Sequence, residues 1–144
     1  MRERSSIQFT SRTWAYFESF DPLIAYAFFN EQNRIYSISP GTPYYKENVT
    51  LVFERGERGH AYTKNLVLES DCLYFIYNDG YSGVGQIIRY NIPDKTTEDM
   101  TTIEDGNILS FEIKNGKISV ETEKNGTTER FTTDLDFSVK TPEN

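Results

Sequence analysis

Cysteine, histidine and tryptophan each occur once in this 144-residue chain. With Cys72 alone, no disulfide closes within the chain, and zinc or iron–sulfur centres built on several thiolates are excluded in a single copy. Leu73 and Phe75 beside it mark a small strand residue near a core. The adjacent Asp71 is the opposite of the basic neighbour that activates a thiol. His60 would need a Ser or Cys nucleophile beside it to form a triad, and no nucleophile-elbow motif is present. Following Arg58 and Gly59, it reads as a turn residue opening the next strand. No run of about 18 apolar residues occurs, so no helix is expected to insert into a membrane. The start, Met1-Arg-Glu-Arg-Ser-Ser, is charged and then polar, without the apolar stretch of a signal peptide. If the chain is a whole gene product it is expected in the cytoplasm. If it was excised from a longer secreted or lipid-anchored protein, it is expected outside that compartment.

Positive charge is also scarce. Fifteen Lys and Arg face 22 Asp and Glu, a formal net charge of −7. The deficit is uneven: residues 1–72 carry 8 basic and 9 acidic groups, residues 73–144 carry 7 and 13. An acidic surface repels phosphate backbones, which argues against nucleic-acid binding and for a solubilising role of these charges. Helical periodicity is nearly absent too. Its best candidate, Leu-Ile-Ala-Tyr-Ala-Phe-Phe-Asn at 23–30 after Asp21 and Pro22, reads better as a strand, because the corresponding stretch further on is rich in β-formers.

Aromatic side chains are what the chain has in quantity. Ten Tyr, ten Phe and one Trp make up 15% of it, against a hydrophobic total of only 37%. Each ring buries roughly 150–250 Å², so the expected core is aromatic rather than aliphatic. At this length the chain fits one all-β domain over residues 1–144, whether whole or part of something longer.

Three hairpin-like segments recur along it. One pairs residues 23–30 with 34–38, the next 72–78 with 86–92, the third 117–125 with 127–133. Their turn residues Asn30, Asn78 and Asn125 are 48 and 47 positions apart, a period suited to four-stranded blades or stacked meanders. Residues 107–114 alternate Ile108, Ser110 and Glu112 against Leu109, Phe111 and Ile113, as in a half-buried strand. Asn115-Gly116 and Asn125-Gly126 are type I′ turn signals that fix residues 117–124 as a strand between two neighbours. Strands are expected at 49–54 and 61–68 as well, and residues 140–144 read as a frayed tail. The expectation is an antiparallel all-β meander of about ten or eleven strands.

The stretch Leu73-Tyr-Phe-Ile-Tyr-Asn, followed by Ile88-Arg-Tyr-Asn-Ile-Pro-Asp-Lys-Thr, resembles a blade of bacterial β-propellers of the TolB-like or uncharacterised kind. Arg34-Ile-Tyr-Ser-Ile repeats the pattern weakly, and Phe131 alone represents it in the third segment. The resemblance implies a partial propeller of about three blades and brings no catalytic residues with it. Propellers close with typically 4–8 blades. Three blades would therefore leave edges to be covered by association, by a missing part of the protein, or by another closure, an up-and-down barrel or a sandwich.

Site candidates follow from the same features. The loop at 78–86 holds Gly80, Gly83 and Gly85 but lies between strands and opens no helix, so it lacks the strand–loop–helix context of a phosphate-binding fingerprint. Its tip residue Tyr81 is expected to be exposed, where a binding surface would start. Asn78-Asp79-Gly80 lacks the closing glutamate of a calcium loop, and Asp134-x-Asp136 reads as a solvated turn. No metal and no cofactor is expected. Among the aromatics of the first half, Trp14 and the pair Tyr44 and Tyr45 beside a proline turn are the ones expected to line a ligand or partner surface. With no catalytic constellation recognised, the expected function is non-enzymatic: binding of a protein partner, or self-association. A barrel-shaped carrier of a small molecule and a hydrolase with paired carboxylates are the alternatives.

Overall fold

Asn115 and Gly116 adopt φ of 54° and 74°, and Asn125 and Gly126 adopt 53° and 78°. Positive φ at both central residues is what a type I′ turn demands, and it brings the flanking strands into register without splaying them. These turns organise the end of the chain in the computed structural model, which describes residues 14–16, 27–38 and 49–143. Among them are twelve strands: β1 (Trp14–Tyr16), β2 (Ala27–Glu31), β3 (Arg34–Ile38), β4 (Val49–Glu54), β5 (Tyr62–Glu69), β6 (Cys72–Asn78), β7 (Gly85–Asn91), β8 (Thr96–Asp99), β9 (Asn107–Lys114), β10 (Lys117–Lys124), β11 (Thr127–Asp134) and β12 (Lys140–Pro142).

The strands form three four-stranded sheets in strict sequence order, β1 to β4, β5 to β8 and β9 to β12, every neighbouring pair antiparallel. Each sheet is a propeller-type blade, and the repeated hairpins are β2–β3, β6–β7 and β10–β11, the middle pair of successive blades. The first strands lie side by side, β5 touching both β1 and β9. Among the described residues no sheet closes into a barrel, which removes the barrel alternative. The expected tail at 140–144 is instead β12, paired with β11 through Phe131↔Pro142, Thr132↔Thr141 and Thr133↔Lys140. Its three residues carry no periodicity, so only the tertiary pairing reveals it.

Alternation along the middle blade assigns its two faces. Leu73, Phe75 and Tyr77 of β6, with Ile88 and Tyr90 of β7, pack against Phe28, Ile35 and Phe53 of the first blade. Tyr74 and Ile76, with Ile87, pack against Ile108, Phe111, Ile118 and Val120 of the third. A strand covered on both faces cannot alternate, and β6 accordingly reads as one continuous apolar run from Cys72 to Tyr77. Rings carry much of this packing: Phe53 meets Phe75 edge-on at 4.7 Å and Tyr77 at 6.2 Å.

Candidate functional site

In an up-and-down meander every second connection lies at the same end. The β2–β3 turn, the β4–β5 connection (55–61) and the β6–β7 loop (79–84) therefore gather on one face. Hydrogen bonds lock the first two together. Thr63 donates its N–H to the Gln32 carbonyl at 2.7 Å. The Asn33 side-chain amide donates to the Gly56 carbonyl at 3.2 Å, and that of Asn30 to the Thr63 carbonyl at 2.7 Å. Gly80 lets the third segment approach. Its φ is +82°, and a Cβ there would collide with the His60 carbonyl, so only glycine fits.

Tyr81 crowns this face, 67% exposed. Its ring stacks on His60 with centroids 4.9 Å apart and planes inclined by 20°. Its hydroxyl donates to Glu57 Oε2 at 2.7 Å, and that bond, which favours the protonated phenol, raises the Tyr81 pKa. His60 Nε2 lies 3.8 Å from Glu57 Oε1. Beneath them Asp79 organises the loop: Oδ1 accepts the N–H groups of Tyr81 and Ser82, each at 2.8 Å, and the Ser82 hydroxyl at 3.0 Å. These donors, the Ser82 N–H first, hold the Asp79 carboxyl below the usual aspartate range. Arg58 reaches Glu31 at 3.4 Å.

Beside this loop lies a cleft of about 230 Å³ between the inner strands of the second and third blades. Tyr62 and Lys64 of β5, Asn78 at the end of β6, and Asn107 to Leu109 at the start of β9 line it. Gly85 closes one wall, where a Cβ would run into the Ile108 carbonyl. The cleft is small against the roughly 300–1,000 Å³ of drug-sized ligand pockets. Tyr62 is 41% exposed at its mouth.

Of the residues singled out in the sequence, Tyr81 stands where expected, exposed on the loop tip. Trp14 contributes backbone to β1, paired with Phe29. Its side chain, and Tyr44 and Tyr45 entirely, lie outside the described residues. His60 is the turn residue expected, but its partnership with Tyr81 was not anticipated: the two are 21 positions apart, and only the rule of alternating connections places them at one end. Lys64 and Asn107 carry no sequence signal beyond their strands. Cys72 sits half-buried on β6, and burial pushes its thiol pKa up, away from the reactive thiolate. Among the described residues no group of three or more His, Cys, Asp or Glu is placed to hold a metal ion.

No family model matches the chain, and no curated protein matches it. Among solved structures it is similar to one from a structural and mechanistic study of two prolyl endopeptidases, concerned with inter-domain dynamics in catalysis and specificity. The TM-score is 0.59 at 16% identity, over 83% of this chain and 17% of that one. The present chain thus spans about a sixth of its neighbour's length, and the likeness is one of fold: three consecutive propeller-type blades in an unclosed arrangement.

Proposed function

We propose that this chain is a non-enzymatic binding module that engages a polypeptide partner on the loop face carrying Tyr81, His60 and Glu57. One observation carries the reading. Tyr81 is highly exposed yet already held, stacked on His60 and tethered to Glu57. A ring fixed before contact offers apolar area and a polar handle with little rotamer entropy left to lose. Exposed Tyr anchors of this sort dominate binding energy at protein interfaces.

The carboxylates favour this reading over a hydrolase. Asp79, Asp105, Asp134 and Glu143 are all held below the usual carboxyl range by the donors around them. A general acid of a carboxylate pair needs a shift upwards. The small-molecule carrier rested on a hollow barrel, and the separate sheets offer none.

A random-sequence peptide array probed with the intact protein tests the proposal. A subset of peptides is expected to be retained, and Tyr81→Ala is expected to weaken retention about tenfold, the loss typical of an interface anchor. Arg130→Ala, on the third blade, is expected to leave it unchanged. Retention of no peptide, or retention indifferent to Tyr81, overturns the reading.

A further inference from the structure

The cleft beside the Tyr81 loop has an unusual chemistry for a chain so acidic: none of its lining residues carries a carboxylate. Its one charged lining residue is Lys64, and among the described residues that ammonium enters no ion pair. Two side-chain amides join it, and their orientation is fixed by backbone donors. Asn78 Oδ1 accepts the Gly80 N–H at 2.8 Å, and Asn107 Oδ1 accepts the Gly85 N–H at 2.6 Å. A backbone N–H can meet only the oxygen of an amide, so each side chain turns its NH2 the other way. Among the described residues neither NH2 has an acceptor. The acids of the flanking loops are engaged elsewhere, Asp79 by the backbone of its own loop and Glu57 by Tyr81. Ile108, Leu109 and the ring of Tyr62 complete the lining with apolar surface.

A cation and two oriented amides, gathered without any carboxylate of the protein's own, suit a carboxylate; the apolar wall and the volume set what it is attached to. We infer that the cleft receives a carboxylate carried on a short branched apolar group, a ligand about the size of one amino-acid residue. This rests on the reading of the same face as a binding surface, and specifies the chemistry that surface selects. The carboxylate belongs either to a free organic acid or to the last residue of a polypeptide. Both present the same group to Lys64.

Titration of 15N-labelled protein with three probes tests the assignment: an acetylated tripeptide ending in leucine, its C-terminal amide, and 4-methylpentanoate. The free-acid peptide is expected to shift the backbone resonances of Lys64, Gly83 and Gly85, and the amide to bind about tenfold more weakly or worse. Lys64→Gln is expected to cost the acid a similar factor, whereas Lys114→Gln, on the far end of β9, costs nothing. Binding of 4-methylpentanoate as tight as that of the peptide identifies a free acid as the ligand; much weaker binding identifies a chain end. Equal binding of acid and amide, indifference to Lys64→Gln, or no shift with any probe overturns the inference. If acid and amide bind alike and Tyr81→Ala weakens both, the binding face stands and only the carboxylate assignment falls. If the acid is preferred through Lys64 while Tyr81→Ala changes nothing, the cleft stands and the wider face falls.

Discussion

Arg89 joins the second blade to the third with a side chain only 14% exposed. Nη1 donates to the Leu135 carbonyl at 3.2 Å and to Asp136 Oδ1 at 2.7 Å, and Nη2 donates to Glu98 Oε1 at 2.9 Å. The Tyr74 hydroxyl donates to the same Leu135 carbonyl at 3.1 Å. Burial alone would lower the guanidinium pKa; Asp136, Tyr74 and Glu98 outweigh it and raise it. Arg130, by contrast, meets Glu121 at 3.1 Å on a face open to water, itself 60% exposed. The two arginines make ion pairs of similar length, and burial separates their worth. Arg89→Met, which keeps the apolar stem, is expected to lower the unfolding free energy by about 1–3 kcal/mol. Arg130→Met is expected to change it by less than about 0.5 kcal/mol. Urea denaturation of both variants against the parent decides, and equal midpoints for the two would sink the distinction.

At the scale of the strand, legibility followed burial. β10 was readable because Asn-Gly turns bracket it, and β9 because one of its faces is wet: Ser110 and Glu112 are exposed and Phe111 is buried. An irregularity at Leu109, where pairing steps from Glu121↔Ser110 to Thr122↔Ile108, turns Ile108 inward, off the face that alternation gave it. β8 and β12 were not, since every residue of both is exposed and no apolar alternation marks them. What places β12 is a set of hydrogen bonds that no pattern announces. The Asp134 carboxylate accepts the Ser138 hydroxyl and the Ser138 N–H, the latter at 2.7 Å, fixing the turn into β12, while Lys140 reaches Asp105 at 2.9 Å. The Ser138 hydroxyl leads in lowering the Asp134 pKa to about 2. At Asp105 burial pushes upwards, but Lys140 and the Thr102 N–H outweigh it and the net shift is down. A carboxyl depressed in the fold stabilises it above its unfolded pKa and ceases to as pH falls through the folded one. Hydrogen exchange, corrected for intrinsic rates, is therefore expected to show residues 138–142 losing protection as pH drops from about 4 towards 2, ahead of β10. Asp134→Asn is expected to flatten that dependence. Protection unchanged across the range would show that these carboxylates do not hold the strand.

For the whole molecule, the 48-residue period disclosed the blades, because each must bury the same hairpin against its neighbour; it could not disclose the chemistry of their outer faces. The outward face of the third blade is polar. Alternation there presents Ser110 and Glu112 of β9, Ser119 and Glu121 of β10, and Arg130 and Thr132 of β11, with Glu143 accepting the hydroxyls of Ser119 at 2.8 Å and Thr132 at 2.6 Å. The opposite face of the same strands buries Phe111, Ile118 and Val120. A further blade packed on this surface would strip water from three glutamates and an arginine and return no apolar area, a cost that one ion pair does not offset. A ring of copies closed head to tail would need this surface at every junction, because a heterologous contact uses the same two unlike patches each time. Light scattering over a concentration series is thus expected to show no assembly built on this face, so that any mass above that of one chain, 16.7 kDa, persists in Glu121→Lys. An oligomer that dissolves with that substitution would show the polar face to be a junction after all.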